Sequence, residues 1–357
     1  MKFEKGLKFA LSAVMALTLA GCGSSTAASE AAPVAEESQA AAADNTATEG
    51  NTVDWPNNTI TLYCGYSAGG GSDVISRIMA EALTKELGQT VIVEDVTGSG
   101  GWVLWQQMIT ATEPDGYTFF LINTPNYPLG KYDTANPRQY GIDDVDLLCN
   151  WVSDYNTIAI RKDDDRFNDW DSFLAYWKEN PLISSASAVG VMSDDATLID
   201  RLQNEFGTKT DMVQSKGASD NITMLLSGTT DFAVCNASEM ANGHLSGEYK
   251  VIAIAAPERD KNLPDVPTIK ELTGIEMVGD SCRGFALPKG VDPAIREKLM
   301  TALKTCINSD EVQKKMADIY TPVNYVEGDD YYNLMVDRIE QGLTAYGRES
   351  EMTEKKR

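Results

Sequence analysis

Apolar strands and amphipathic helices alternate along the first part of the folded chain. An apolar run at 60–65 predicts a strand, and a glycine-rich turn connects it to a helix at 73–87 whose apolar residues recur every three or four positions. The pattern continues with a strand at 90–94, a glycine loop at 98–101, a helix at 102–112 and a strand at 117–122. This βαβα order predicts a parallel sheet flanked by helices. Ligands of such sheets bind outside the carboxyl ends of the strands, where Gly69–Gly71 and Ser99–Gly101 would both lie.

The same alternation continues through the rest of the chain. It predicts strands at 157–161, 182–187, 212–214, 229–234 and 251–256, and helices at 169–179, 195–206, 220–226, 293–307, 310–318 and 328–345. No fixed-period repeat accompanies these elements, so the chain is not a solenoid. About 300 residues follow position 56, which is enough for two domains of ordinary size.

The N-terminus has the pattern of an export signal. Lys2, Lys5 and Lys8 precede an apolar run at 9–20 that is too short to span a bilayer. The run ends in Leu19-Ala20-Gly21-Cys22, which resembles a bacterial lipobox. We therefore expect a signal peptide at 1–21, a lipidated Cys22 and a location on the extracytoplasmic face of the cell membrane. The alternative is an ordinary cleaved signal that happens to contain a cysteine.

A flexible tether follows the signal, at 22–56. This segment is rich in Ala, Ser, Thr and Glu, contains no Lys or Arg, and cannot bury enough apolar surface to fold. From the net charge of −23, removing the +2 of the signal gives −25, and removing six tether acids leaves −19 on the folded body. Such acidity opposes binding to nucleic acid or anionic lipid. An anionic ligand would also be repelled at long range, so local amides and dipoles must hold it.

The triple glycine at Gly69–Gly71 is the first candidate binding element. Glycine lets the backbone approach a ligand closely, and Ser72 or Asp73 can cap the following helix. The free amides and the positive dipole end of that helix favour a carboxylate or a phosphate. The alternative is a turn that only joins a strand to a helix.

Neither the cysteines nor the motifs of the chain indicate an enzyme. Besides Cys22 there are five cysteines, at 64, 149, 235, 282 and 306, without any CxxC spacing. We expect buried thiols, with one disulfide left open, and no zinc site because the chain has a single histidine. His244 lies in a segment that predicts a polar turn, and the acidic triplet at 163–165 lacks the glycine and distal Glu of a calcium loop, which favours a solvated turn. Trp102, Trp105 and Trp151 are expected in the core. We therefore predict no catalytic residue, no metal and no cofactor.

Six ordered segments resemble one protein family. They are ITLYCGYSAGGGSD with Arg77, LGQTVIVEDVTGSGG, PDGYTFFLI, KGASDNITMLLSGTTDFAV, LPDVPTIKELTG and GFALPKGVDPAI. Together they are similar to the extracytoplasmic solute receptors of tripartite tricarboxylate transporters, also called the Bug family. The resemblance covers nearly all of the folded body.

The resemblance implies a fold and a set of binding positions. The fold is the α/β periplasmic-binding-protein type II fold, two α/β lobes joined by two crossing strands, with lobe one at 57–153 plus 252–357 and lobe two at 154–251. Small carboxylates are the usual ligands of the family, held by backbone amides and hydroxyls. Carried onto this chain, the binding positions are Tyr66, Ser67, Ala68, Gly69, Gly70, Gly71, Asp73, Thr124, Pro125, Asn126, Gly190, Met192, Ser193, Asp194, Lys216, Gly217 and Ala218, with Asp231 either lining the cleft or bracing it.

Two departures from the family pattern bear on the ligand. Cys64-Gly65-Tyr66 stands where many relatives have a proline, so the shape of the cleft can differ. Asp194 and Asp195 stand where an anion is expected. Asp195 is well suited to cap the next helix, whereas Asp194 could instead contact an ammonium group of an amino acid.

Together these features predict a monomeric, lipid-anchored receptor that delivers a small carboxylate to the large and small subunits of a membrane permease. The alternatives are an amino-acid receptor or a sensory binding protein on the same fold. A hydrolase using Asp73 or Asp194 is a more distant alternative. Which solute is bound stays open, because amides recognise the carboxylate and not the rest of the molecule.

Overall fold

The structure, a computed structural model, describes residues 53–186, 192–215 and 217–357. Its strands are β1 (Ile60–Cys64), β2 (Val91–Asp95), β3 (Thr118–Thr124), β4 (Val145–Arg161), β5 (Leu182–Ala186), β6 (Thr210–Gln214), β7 (Phe232–Asn236), β8 (Tyr249–Ile254), β9 (Asp280–Pro288) and β10 (Val323–Glu327). Its helices are α1 (Gly71–Leu87), α2 (Trp102–Thr110), α3 (Asn126–Leu129), α4 (Trp170–Glu179), α5 (Asp194–Phe206), α6 (Ala218–Leu226), α7 (Ala237–Ser246), α8 (Ile269–Thr273), α9 (Pro293–Ile307), α10 (Asp310–Asp318) and α11 (Gly328–Ala345).

The strands pair in two groups that share β4. In the first group β1 lies parallel between β2 and β3, and β9 runs antiparallel to both β3 and β4. In the second group β5 lies parallel between β6 and β7, while β7 and β8 run antiparallel to β4. Within the 17 residues of β4, positions 145–155 pair with β9 and positions 156–160 pair with β7. One strand therefore belongs to both groups.

Each group of strands is covered by apolar side chains on both faces. In β3, Phe119 and Leu121 join one hydrophobic cluster, whereas Phe120 and Ile122 join another. In β7, Phe232 and Val234 likewise separate from Ala233 and Cys235. Successive strand residues point to opposite faces, so strands covered on both sides need continuous apolar runs. This explains why residues 119–122 of β3 and 232–235 of β7 are continuously apolar and do not alternate with polar residues.

Most predicted elements are confirmed, with ends that move by a few residues. The three C-terminal helices have the predicted bounds. The strand predicted at 157–161 is the last part of the longer β4. The strands β9 and β10 and the helices α3, α7 and α8 were missed. In β9 the buried residues include Asp280 and Arg283, whose charges hide the strand pattern.

One predicted turn is wrong, and a second is solvated only in part. His244 lies in α7, with Nδ1 accepting a hydrogen bond from the Val251 amide at 3.1 Å and Nε2 lying 3.2 Å from Asp265 Oδ2. The triplet at 163–165 is a turn with Asp163 and Asp165 exposed, but the Asp164 side chain is 1% exposed and pairs with Arg161 and Arg166. Both segments pack against the body through specific polar contacts.

The expectations for the tryptophans and cysteines are confirmed. Trp102, Trp105 and Trp151 are buried in the core. Cys64, Cys149, Cys235, Cys282 and Cys306 are free and buried, so the disulfide left open does not form among them. Cys22, the signal and most of the tether lie outside the described residues. In the part of the chain that the structure describes, no helix is long and apolar enough to cross a membrane, and no cluster of side chains is suited to a metal ion.

Candidate functional site

A cavity of about 750 Å³, called the central cavity below, lies at the carboxyl ends of strands from both groups. Its walls come from the loops after β1, β2 and β6, from the ends of β3 and β7, from the first turns of α5, α6 and α7, and from β9. The lining residues are Gly65, Tyr66, Ser67, Gly69, Gly70, Gly71, Ser72, Thr97, Gly98, Ser99, Gly100, Asn123, Asn126, Asp194, Ser215, Gly217, Ala218, Ser219, Asp220, Ile222, Asn236, Glu239, Ser281 and Arg283.

The loop after β1 is held in shape by its own hydrogen bonds. The Gly70 amide donates to Ser67 O at 3.1 Å, and the Gly69 amide donates to Asp73 Oδ2 at 2.7 Å. Gly69 has a φ of +78°, a conformation that favours glycine. Helix α1 begins at Gly71, and its N-cap Gly70 supplies no side-chain cap. The expected cap from Ser72 or Asp73 is therefore wrong, and the first turn of α1, which lines the cavity at Gly71 and Ser72, has no side-chain cap.

The loop after β2 packs closely on the loop after β1. Tyr66 donates its hydroxyl hydrogen to Gly100 O at 3.2 Å. A Cβ at Gly65 would lie 2.9 Å from Gly101 Cα, a distance that side chains essentially never adopt. Glycine at position 65 thus allows the two loops to meet, which fixes one wall of the central cavity.

Arg283, on β9, is the cation of the described cavity lining. The residue is 5% exposed, its Nη1 lies 3.6 Å from Asp154 Oδ2, and its Nε has no hydrogen-bond partner in the described structure. Burial lowers the pKa of Arg283, but the carboxylates of Asp154, Glu239 and Asp194 outweigh burial and raise it overall. The guanidinium of an arginine that lines a cavity can bind a carboxylate through its Nη atoms, one of which lies beside Gly71.

Two carboxylates face the cavity from the second group of strands. Asp194, at the start of α5, accepts hydrogen bonds on Oδ2 from Asn156 Nδ2 at 2.8 Å and from Asn236 Nδ2 at 3.3 Å. Glu239, in the first turn of α7, accepts on Oε2 from the Asn236 amide at 3.2 Å. Burial raises the pKa of Glu239 to about 7, with Arg283 lowering it and Asp154 raising it further. Glu239 therefore takes up a proton more readily than an ordinary glutamate.

The structure places about half of the predicted binding residues on the central cavity. Those that line it are Tyr66, Ser67, Gly69, Gly70, Gly71, Asn126, Asp194, Gly217 and Ala218. Gly190 and Lys216 lie outside the described residues. Those that do not line it are Ala68, Asp73, Thr124, Pro125, Met192, Ser193 and Asp231.

The predicted residues away from the cavity have structural contacts instead. Asp73 holds the Gly69 amide and pairs with Arg77 at 2.7 Å. Ser193, and not Asp195, caps α5, because its Oγ accepts from the Ala196 amide at 3.2 Å. Asp231 braces the Asp164 cluster by pairing with Arg166 at 2.6 Å.

Arg283 and Glu239 are the main residues that the sequence prediction missed. Arg283 lies on β9, a strand that was not predicted, and Glu239 lies in α7, part of which was interpreted as a polar turn. A signal for Arg283 exists, since a lone arginine inside the run SCRGFAL must have an acidic partner if that run is a buried strand.

Comparisons with known proteins agree with this architecture. Residues 75–344 match the model of a family described as the tripartite tricarboxylate transporter family receptor. A UPF0065 protein encoded in the gbd 5′ region of Cupriavidus necator is 29% identical over 80% of this chain and 86% of its own length. A UPF0065 protein from the TAR-I ttuE-ttuC′ intergenic region of Agrobacterium vitis is 30% identical over 75% of this chain and 76% of its own length.

Solved structures show the same fold. A TctC solute-binding protein from Polaromonas, without ligand, aligns with a TM-score of 0.66 at 24% identity over 84% of this chain and all of that one. MatC from Rhodopseudomonas palustris with bound malate gives 0.71 at 21% identity, over 82% and 99% of the two chains. An R. palustris protein with adipate gives 0.70 at 21%, with the same coverage. The fold is thus the periplasmic-binding-protein type II fold, with two α/β lobes joined by crossing strands.

Proposed function

The chain belongs to the tripartite tricarboxylate transporter receptor family, and we propose that it captures a small carboxylate in the central cavity and delivers it to the large and small membrane permease subunits of such a transporter. This family consists of substrate-binding receptors and not of enzymes. The proposal therefore concerns which solute is held and how it is held.

The observation that carries the proposal is the wall formed by α1, its preceding loop and Arg283. Gly71 and Ser72, in the uncapped first turn of α1, line the cavity, and a Cβ at Gly71 would lie 3.8 Å from Arg283 Nη2. Helix N-terminal amides and a guanidinium both favour an anion. The malate and the adipate in the two R. palustris proteins are carboxylates as well.

Binding is proposed to close two lobes on the ligand. Lobe one comprises 57–153 and 252–357 and supplies the glycine loops, whereas lobe two comprises 154–251 and supplies Asp194, Glu239 and the start of α6. A ligand that contacts both lobes favours the closed state over the open one. The protein would act as a monomer, since one chain supplies both walls.

The receptor is proposed to work outside the cytoplasm, tethered by lipid. The lipobox-like sequence at Leu19–Cys22 and the polar tether at 22–56 support this location. Metabolic labelling with a radioactive fatty acid tests it directly. A Cys22→Ser chain should lose the label, and retention of the label would contradict the anchor.

A thermal-shift screen tests carboxylate binding. Purified protein, freed of co-purified solute by unfolding and dialysis, is heated with mono-, di- and tricarboxylates. A ligand at about a hundred times its dissociation constant should stabilise the fold by roughly 2.7 kcal/mol.

A matched pair of variants locates the site. Gly71→Val extends a side chain toward Arg283 and Glu239 and should abolish the shift while the protein remains folded. Gln106→Val introduces the same side chain at an exposed position of α2 and should leave the shift unchanged. An unchanged shift in Gly71→Val would refute the placement of the ligand in the central cavity.

A further inference from the structure

The central cavity has donors on its lobe-one wall and carboxylates on its lobe-two wall, and the two walls meet at Gly71, where a Cβ would lie 3.8 Å from both Arg283 Nη2 and Glu239 Oε1. On the lobe-one side the chain offers donors, namely the uncapped first turn of α1 and the Arg283 guanidinium beside it. Arg283 is only 5% exposed. Its Nε nevertheless has no hydrogen-bond partner among the described residues. This side is suited to a carboxylate.

On the lobe-two side the helix ends already carry carboxylates of the chain itself. Asp194 is the first residue of α5, and Glu239 reaches back to the amide at the start of α7. Negative side chains at these positions satisfy the positive ends of the helix dipoles. The N-termini of α5 and α7 are therefore not available to a ligand anion. The first turn of α1 also contains a carboxylate, Asp73, but this one is paired with Arg77 at 2.7 Å and accepts from the Gly69 amide.

On this side, one oxygen of each carboxylate accepts no hydrogen bond from the described residues. Both hydrogen bonds accepted by Asp194 end on Oδ2, which leaves Oδ1 without one from the described residues. Glu239 Oε1 would lie 3.8 Å from a Cβ at Gly71, while its other oxygen is the one bonded to Asn236. Within the described residues the only ion pair of Arg283 is with Asp154, so Arg283 does not neutralise Asp194 or Glu239 by direct contact.

We infer that the ligand of the central cavity is a zwitterion, a small carboxylate that also carries a protonated amine. Its carboxylate lies against Arg283 and the α1 amides, and its ammonium group donates to Asp194 and Glu239. A second carboxylate in place of the ammonium group would lie against these two residues, which is unfavourable, and a ligand without an amine would leave them without a donor. This inference rests on the proposed function and narrows its ligand to amino acids and related amino carboxylates.

A rival explanation is that Glu239 takes up a proton and donates it to a second carboxylate of the ligand. The charged groups facing Glu239 are Arg283 from β9, Asp154 from β4 and Asp194 from α5. Under the rival explanation, affinity for a dicarboxylate falls about tenfold per pH unit above pH 7. Affinity for a zwitterion instead rises from pH 6 to about pH 7 and then levels off, because the ligand amine remains protonated while Glu239 loses its proton.

The test compares ligands that differ only by the amine. Isothermal titration of the solute-free protein at pH 6 and pH 8 measures amino acids beside their des-amino analogues, such as aspartate with succinate, leucine with 4-methylpentanoate and phenylalanine with 3-phenylpropionate. The inference expects the amine-bearing member to bind at least ten times more tightly in the pair that fits. Equal or tighter binding of the des-amino member overturns the inference and leaves the proposed carboxylate receptor intact.

Variants assign the ammonium contact. Asp194→Asn and Glu239→Gln should each weaken the binding of the amine-bearing ligand by roughly ten- to a hundredfold, which is the range for a hydrogen bond to a charged group. Neither variant should weaken the des-amino member. Asp171→Asn removes a carboxylate from the exposed first turn of α4 and should change neither affinity. Equal weakening of both members would overturn the ammonium contact, and binding of no carboxylate of either kind would overturn the proposed function itself.

Discussion

Glu239→Gln should make the stability of the protein less sensitive to pH. Burial raises the pKa of Glu239 to about 7 from its usual 4.5. The folded state therefore binds this proton more tightly than the unfolded state does. The stability that comes from the proton is fully present below pH 4.5 and is lost as the pH rises through 7. Glutamine keeps an oxygen for the Asn236 amide but cannot ionise.

The size of the effect follows from the shift in pKa. At about 1.4 kcal/mol per unit, the shift corresponds to roughly 3 kcal/mol of unfolding free energy at high pH. Between pH 5 and pH 8, the wild type should lose about 2.5 kcal/mol that the variant keeps. This value is an upper limit, because the carboxyl group borders a cavity that water can enter and so is not completely desolvated.

Thermal unfolding at the two pH values measures the difference. The melting temperature of Glu239→Gln minus that of the wild type should rise by about 5 °C from pH 5 to pH 8, at roughly 2 °C per kcal/mol for a chain of this size. Glu248→Gln removes a charge from an exposed position and should show no such rise. A constant difference between Glu239→Gln and wild type would refute the buried environment assigned to this carboxyl group.

Two further predictions concern the glycine loops and the thiols. Gly65→Ala should lower the unfolding free energy by about 1–3 kcal/mol, because the new Cβ would lie 2.9 Å from Gly101 Cα. The control is Gly141→Ala, where the nearest contact of the new Cβ is a lysine side chain at 3.7 Å, and it should be nearly neutral in the same melting experiment. In a Cys22→Ser chain, the remaining cysteines should react with a thiol reagent at pH 8 only after unfolding, because all five are buried. Burial also raises the pKa of Cys64 and of Cys306 to about 12, which keeps these thiols protonated at pH 8. Rapid labelling of the folded protein would contradict the burial of these thiols.

The lobe-one wall could be predicted because its determinants are close together in sequence. A strand, a glycine turn and a helix within 60–87 specify their own geometry, and the parallel sheet brings the second glycine loop beside the first. The sequence could not predict which side chains would line the cavity and which would instead bind the chain's own backbone. Asp73 has the sequence position of a ligand contact, yet its carboxylate holds the Gly69 amide.

The charged centre of the site could not be found by local patterns. Arg283 and Glu239 are brought together by the pairing of β9 with β4 and by the start of α7, which are long-range features. Charge inside β9 removed its apolar signal, and the polar surface of α7 concealed the helix around His244. Such residues are identified only when tertiary structure shows what each buried charge contacts.

The internal hydrogen bonds of the glycine loop have a consequence for how this receptor can change its specificity. Gly69, Gly70 and Tyr66 are held by Asp73, Ser67 and Gly100, so the loop does not need a ligand to become ordered. Ordering a backbone residue costs about 1–2 kcal/mol of conformational entropy, and a preorganised loop avoids this cost at each binding event. Differences in affinity between solutes then depend mainly on the opposite wall. Selection can replace side chains there and obtain a receptor for a new solute without rebuilding the part that holds the carboxylate.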